Sequence, residues 1–396
     1  MSTDRPFILV LNAGSSSLKL ALIDPQSGRR TVTGLGERVG SADASAHLSR
    51  DGQKSTVDAG DGSHREVVQA LLGALTGAER EAVHGVGHRV VHGGSRFSAS
   101  VAVDDRVLAD LKDLVDLAPL HMPANILGIE AARAAFAGPV QVAVFDTAFH
   151  QTMPPVAYRY AVPIDWYVTH QVRRYGFHGT SHRYVSAEAA RLLGRPPESL
   201  RMVTLHLGNG CSAAAVGGGV SLDTTMGMTP LEGLVMGTRS GDIDPGVLGY
   251  IAGRLDLDLA GVLDVLNNDS GVAGLSGISN DNRTLWEAAD AGSADAALAL
   301  DVFAYRIAKS VGALADALGG LDAVVFTGGI GEHSPDTRQA VLARLGVFGL
   351  AEDPAANAAN GSETAGRISA AGPVSALVVH TDEELLIARD TLELAQ

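Results

Sequence analysis

An α/β protein of two duplicated domains is the fold this sequence predicts, and three observations carry the expectation. The first is residues 7–24, FILVLNAGSSSLKLALID. An apolar run enters a loop of small polar residues, and Leu18, Leu20 and Leu22 then alternate with other residues, which reads as strand, tight loop, strand. The second is an echo at residues 202–216, MVTLHLGNGCSAAAV, with the same layout and a Gly/Asn/Ser loop at 208–212. The third is length: 396 residues exceed one ordinary core and suit two domains. Small residues between buried strands let backbone N–H groups and hydroxyls approach an anion closely. Either unit alone reads better as a hairpin whose polar residues satisfy turn geometry. Their repetition points to a pair of phosphate-binding loops.

Composition narrows the class. With 46% hydrophobic and 19% charged residues the chain is globular and able to bury large cores. The net charge of −15 comes with no basic run and argues against a nucleic-acid surface. The single cysteine, Cys211, excludes an intrachain disulfide framework and fits a reducing compartment. The apolar run after Asp4 and Arg5 is too short for a signal-peptide core, and no stretch approaches a membrane span. A soluble, cytoplasmic protein is expected.

Residues 26–64 are polar and predict short surface strands and turns. Apolar spacing over 66–75 predicts a helix. Residues 85–94, GVGHRVVHGG, read as a strand entering a glycine turn. They place Arg89 in apolar surroundings, where a buried ion pair and a ligand contact are equally open. Asp104 is expected to cap a helix through Leu117, and Pro123 to start one over 124–136. His121, just ahead of the latter, either faces an anion or caps the helix. The strand 140–145 ends at Asp146, where open α/β sheets place functional groups.

The aromatic, irregular stretch 158–175 is the candidate crossover between domains. In GFHGTSH, residues 176–182, the spacing of His178 and His182 invites a metal. Gly179 weakens a helix there, however, and the acidic residue of an H-E-x-x-H site is missing. His178 is read as a hydrogen-bond donor to a ligand and His182 as structural. Residues 223–246 hold too many Gly, Pro and Asp for regular structure and predict a long functional loop, in which Arg239 can reach a phosphate or carboxylate with its fork. Two helices are expected within 247–268, a polar turn at 280–283, and a long helix over 294–318. The strand 322–327 then meets a glycine turn, Gly328 to His333, before a helix near Pro335. On such geometry a nucleotide rests against bare backbone, although it is neither a Walker A loop nor a dinucleotide fingerprint. After a strand at 375–380, the acidic residues 382–384 either cap the terminal helix or bind magnesium. Glycine and serine loops after strands, isolated arginines, carboxylates and no nucleophile motif together point to nucleotide-dependent phosphoryl transfer.

The segments NAGSSSLK, HRVVHGG, PLHMPAN, FDTAFH, FHGTSH, HLGNG, TRSGDIDPG, GGIGE and DEE, in this order over essentially the whole chain, resemble the acetate kinase family. The resemblance implies the duplicated ribonuclease-H-like fold of the sugar kinase, Hsp70 and actin superfamily. The first domain would comprise 1–150 plus 384–396. The second, 151–383, would bind nucleotide and form a homodimer. It implies a magnesium-dependent enzyme, manganese being an alternative, that makes acetyl phosphate and ADP from acetate and ATP by reversible in-line transfer. By motif, Asn12 and Glu383 would hold the metal. Ser15, Ser17, Lys19, His206, Leu207, Gly208, Asn209, Gly210, Asp281, Asn282, Arg283, Gly329, Ile330, Gly331, Glu332 and His333 would line the ATP site. Arg89 would bind the acetate carboxylate, while His178 and Arg239 would stabilise the transferring phosphoryl group. Asp146 takes the family's catalytic aspartate position and His121 a supporting one. Val91, Leu120, Phe177 and Pro230 match the methyl pocket. Acetate is already ionised at neutral pH, so Asp146 is expected to orient an arginine or a metal-bound water and not to act as a general base. Two departures stand out: His333 replaces a common Asn after GGIGE, and Met122 replaces the Asn that commonly follows the active-site His. The rival readings are a propionate or other short-chain acyl kinase, and an ATP-binding member of the superfamily that is not a kinase.

Overall fold

The computed structural model describes residues 6–14 and 16–396. Ser15, expected at the nucleotide site, lies outside the described residues. The chain forms two compact units, Met1–Phe149 with Asp382–Gln396, and His150–Thr381.

The first unit holds strands β1 (Phe7–Ala13), β2 (Ser17–Ile23), β3 (Arg30–Glu37), β4 (Ser45–Arg50), β5 (Gln53–Val57), β6 (Val83–Val90), β7 (Val101–Ala102) and β8 (Val140–Phe145). They form one sheet in the order β5-β4-β3-β2-β1-β6-β8-β7. The second unit holds β9 (Arg201–Leu207), β10 (Cys211–Gly217), β11 (Val220–Thr224), β12 (Ala323–Thr327) and β13 (Ser375–Val378), in the order β11-β10-β9-β12-β13. Set aside β4, β5 and β7, and the two sheets have the same order. In both, the first strand pairs antiparallel with the second, and parallel with the fourth. The duplication read from the two strand–loop–strand segments is therefore a duplication of topology.

Burial explains the central strands. Ile8, Leu9, Val10 and Leu11 alternate between the faces of β1, yet all are buried, and β12 is buried at every residue. Strands covered on both faces read as continuous apolar runs. Glycine sets the packing of one cover. A Cβ at Gly87 on β6 would collide with Ile387 and Thr391 of the helix Glu383–Leu394, so this helix lies directly against β6 because the strand presents no side chain there. That seating brings the start of the helix, and with it Glu383, beside the end of β6.

Several elements differ from the sequence reading. Residues 30–57 are an ordered extension of the sheet, because alternating burial lets β3 and β4 share the core under the helix His64–Gly73. The helix expected to reach Leu117 stops at Asp113 and continues as a 3-10 turn, Val115–Leu117. Its neighbour begins at Met122, with His121 in the capping position and Pro123 inside the first turn. The aromatic stretch 158–175 lies within the second unit and includes the helix Ile164–His170. Among the described residues no helix is long and apolar enough to cross a membrane.

Buried histidines give the fold a pH signature. Burial pushes the imidazoles of His88 and His150 down to about 4 from an ordinary 6.5. Between those values the unfolded chain binds more protons than the folded one. This contribution to stability is therefore complete above about pH 6.5 and declines as pH falls towards 4, by on the order of 3 kcal/mol per ring. Urea unfolding at about pH 7.5 and about pH 5 should show the decline. His88→Gln, which can still bond Gln141, should make it shallower while the other buried rings keep the rest, and an unchanged slope would remove His88 from the explanation.

Candidate active site

Each unit gathers one cluster of functional side chains at the ends of its central strands. In the first, Arg89 sits one residue from the end of β6 and Asp146 directly follows β8, its parallel neighbour. The adjacency turns two residues far apart in sequence into a bidentate pair. Arg89 Nε donates to Asp146 Oδ1 at 2.9 Å and Nη2 donates to Oδ2 at 2.6 Å. Nη1 donates to Asn12 Oδ1 at 3.3 Å, and Glu383 Oε2 lies 4.0 Å from Nε. The Asp146 side chain is 2% exposed and that of Arg89 24%. Burial opposes the charge on Arg89, but Asp146 and Glu383 outweigh it and hold the guanidinium's pKa above its ordinary value. For Asp146, burial pushes the carboxyl up, Arg89 acts against this, and Glu383 adds to it. The two short charge-assisted bonds define the pair as guanidinium and carboxylate.

The fork edge made by Nε and Nη2 is thus committed to Asp146. Next to it, Asn125 accepts from the Val91 N–H at 2.9 Å and donates to the Ala13 carbonyl at 2.5 Å, tying the end of β6 to the end of β1. Lys19, opposite Asn12 across β1 and β2, lines a surface depression with Thr33, His47 and Lys54. Ser17 is half-buried and its carbonyl accepts from the Gly14 N–H at 2.7 Å. Leu120 is 78% exposed, on a shallow depression with His64 and Pro123.

In the second unit a chain of histidines and hydroxyls stands behind the β9–β10 loop. His178 caps the helix Gly179–Leu193 in the left-handed conformation, φ 58°. Its Nδ1 is 2.8 Å from Ser212 Oγ, and His182 Nε2 is 2.8 Å from the same oxygen. His182 Nδ1 meets Thr204 Oγ1 at 2.7 Å. His206 Nδ1 meets Ser181 Oγ at 2.8 Å, and its ring stacks on His178 with centroids 4.2 Å apart. His182 is fully buried, and burial drives its pKa well below the ordinary value, which makes it a neutral structural ring. A helix forms here despite Gly179, which is its first residue, with His178 at the cap and His182 inside the first turn. Ser212 and Thr204, which hold these rings, were not singled out from the sequence, although a hydroxyl in a fully buried strand needs a partner and so gave a signal.

Arg239 differs from Arg89 in the way that matters for anions. It is half-buried in the long loop. Nη1 donates to the Pro230 carbonyl at 3.2 Å and lies 3.9 Å from Met236 Sδ. No carboxylate pairs with it among the described residues, and burial presses its pKa down. A Cβ at Gly210 would lie 3.5 Å from Arg239 Nη1 and 3.6 Å from His178 Nε2, so glycine keeps open the space that both side chains border. Phe177 is buried and its carbonyl receives His150 Nε2 at 3.0 Å. Cys211 packs under the loop with burial pushing its thiol up to about 12, so it is no nucleophile.

Beside this cluster a cleft brings together Gly208, Asn209, Asp281, Asn282, Arg283, Gly329, Ile330 and His333, with Asn280 and Ser334. Leu207, Gly331 and Glu332 lie behind that surface. Leu207 is fully buried, the Gly331 carbonyl accepts from the buried Arg338, and Glu332 bonds the strand end. The expected glycine turn is a helical turn, Gly328–His333, entered through Gly328 at φ 77°.

A half-buried guanidinium beside a glycine-bounded space suits phosphoryl transfer, and the repeated sheet order is that of a two-domain phosphotransferase with ribonuclease-H-like halves. Comparison with known proteins makes the class particular. The profile of the acetokinase family matches residues 7–389, and the chain belongs to that family. It is 58% identical over 387 residues to the acetate kinase of Deinococcus deserti, covering 97% of this chain and 96% of that protein. Among solved structures, the acetate kinase of Porphyromonas gingivalis superposes with a TM-score of 0.92 at 43% identity, over 99% of this chain and 100% of that one. A propionate kinase from Francisella tularensis subsp. tularensis also gives 0.92, at 41% identity over 98% of this chain and 100% of that one. The chain is a kinase whose acceptor is a carboxyl group, on two duplicated ribonuclease-H-like domains.

Proposed function

We infer that the chain transfers the γ-phosphoryl group of ATP directly to the carboxylate of acetate, giving acetyl phosphate and ADP, and catalyses the reverse reaction. The observation that carries the mechanism is Arg239, a half-buried guanidinium held by a carbonyl and a thioether and bordering, with His178, the space left by Gly210. A cation so placed is ready for an anion whose charge grows in the transition state. The cleft from Gly208 to Ser334 takes the nucleotide. Acetate is ionised at neutral pH and needs no base, so Asp146 serves by fixing Arg89 through two hydrogen bonds. The remaining edge of Arg89, through Nη1, receives the substrate carboxylate. His121 supports that side, and Val91, Leu120, Phe177 and Pro230 are assigned to the methyl group.

Asn12 and Glu383 suit magnesium: an amide oxygen and a carboxylate, both beside Arg89, are hard donors of the kind this ion takes together with water and phosphate oxygens. Manganese accepts the same donors. The metal supplies charge neutralisation on the phosphates.

A hydroxamate assay with ATP and magnesium, comparing acetate, propionate and butyrate, tests the proposal. Acetate should lead propionate by about tenfold or more in kcat/KM, since one methylene changes pocket binding by about 1–3 kcal/mol. Propionate in the lead would favour the reading suggested by the Francisella neighbour. ATP binding without any acyl phosphate would sink both. The same preparation should scatter light as a dimer of the 40.8 kDa chain, because Trp166, Val168, Tyr250 and Leu259 of the second unit are exposed apolar residues. A monomer would remove the dimer from the proposal.

A further inference from the structure

We propose that Glu332, His333 and His380 form a binding site for a borderline-soft divalent cation such as zinc, separate from the magnesium donors. The parallel pairing of β12 and β13 sets the carboxyl ends of these strands side by side. The turn after β12 supplies Glu332 and His333, and the residues after β13 supply His380. One ligand atom from each lies within 4.8 Å of the others.

The carboxylate is already built as a metal ligand. Glu332 Oε1 accepts from Thr327 Oγ1 at 3.1 Å and from the Gly328 and Thr381 N–H groups at 3.0 Å each. These bonds fix the group and leave Oε2 facing His380 Nδ1 at 2.7 Å and His333 Nε2 at 3.9 Å. Glu332 is 11% exposed at its side chain, while both imidazoles are 66% exposed. One rigid, hydrogen-bonded oxygen and two solvent-exposed rings can close on an ion needing contacts of about 2.0–2.2 Å, with water in the remaining position. Two imidazoles select zinc, copper or nickel over magnesium, which keeps to oxygen. His333 also lines the cleft assigned to the nucleotide, so metal on the site should hinder nucleotide entry. That consequence rests on the nucleotide reading of the cleft; the metal site does not.

The test titrates zinc chloride into the untagged, full-length protein and its His380→Ala variant by calorimetry. His380 lies outside the proposed catalytic and nucleotide residues, so the variant should keep its zinc-free activity. The expected result is one zinc per chain at micromolar affinity, weakened about tenfold or more by the substitution. In kinase assays with excess magnesium, zinc should then act against ATP in the parent and far less in the variant. Equal zinc affinity in the two proteins, or no binding below about 100 μM, overturns the site. Zinc binding that needs His380 but leaves the KM for ATP unmoved supports the site and counts against the nucleotide reading of the cleft.

Discussion

Replacing Arg239 by alanine should lower kcat by about a thousandfold or more while the protein keeps its fold. An arginine placed on a transferring phosphoryl group is worth about 10³–10⁵ in rate. Little in the structure depends on this side chain. The loop around it is held by its backbone, with the Met236 N–H on the Arg239 carbonyl at 3.1 Å and the Gly237 N–H on the Asn209 carbonyl at 2.9 Å. The guanidinium itself gives up one carbonyl bond and a thioether contact. The loss should fall on kcat, with KM for ATP nearly unchanged, because the interaction strengthens as charge develops. Arg239→Lys keeps the charge but loses the fork and should recover only part of the rate. Steady-state kinetics beside thermal unfolding would decide the matter. A kcat within about tenfold of the parent, with the melting point unchanged, would take Arg239 out of the chemistry.

The contrast between the two arginines shows what the sequence could carry. Both stood out as isolated cations among small or apolar residues, and Arg89 was open between an ion pair and a ligand contact. Its partner is fixed by β6 lying beside β8, a pairing across fifty-seven positions that no local pattern encodes. The strand–loop–strand units were legible because alternation and small residues are local signals, and the repeated sheet order followed from them. The Ser212 tie between His178 and His182 was not legible, since it requires knowing that β10 passes under the start of a helix thirty residues upstream. Leu120 illustrates a different limit: its apolar identity was legible, whereas its direction, and so its exposure, depends on where the turn before Met122 aims it. Residues 30–57 looked like surface because their polar positions alternate with buried Val32, Ala46 and Leu48 in strands too short for the pattern to dominate.

The second large effect concerns the buried pair. Arg89→Ala should destabilise the fold by about 3–5 kcal/mol near neutral pH, because it strands the Asp146 carboxylate at 2% exposure. The sign of its pH dependence follows from the same pair. Arg89 is the influence that lowers the Asp146 pKa, and burial and Glu383 both raise it. Without Arg89 the folded-state pKa rises further above the unfolded value. Folding then favours the protonated carboxyl, so the variant is least impaired at low pH and loses ground to the parent as pH climbs through the raised pKa. The histidine contribution is common to both proteins and cancels in the difference. Arg89→Ala combined with Asp146→Asn removes the stranded charge and should recover most of the lost stability, giving a coupling of several kcal/mol in the double-mutant cycle. Activity should not return with it. Asp146→Asn alone should reduce kcat by about a hundredfold or more through misorientation of Arg89, with the acid limb of the pH–rate profile and magnesium affinity both retained. Loss of that limb at unchanged metal affinity would instead make Asp146 a titrating base. A double variant as unstable as Arg89→Ala would mean that the cost lies in lost packing of the arginine stem and not in the uncompensated carboxylate.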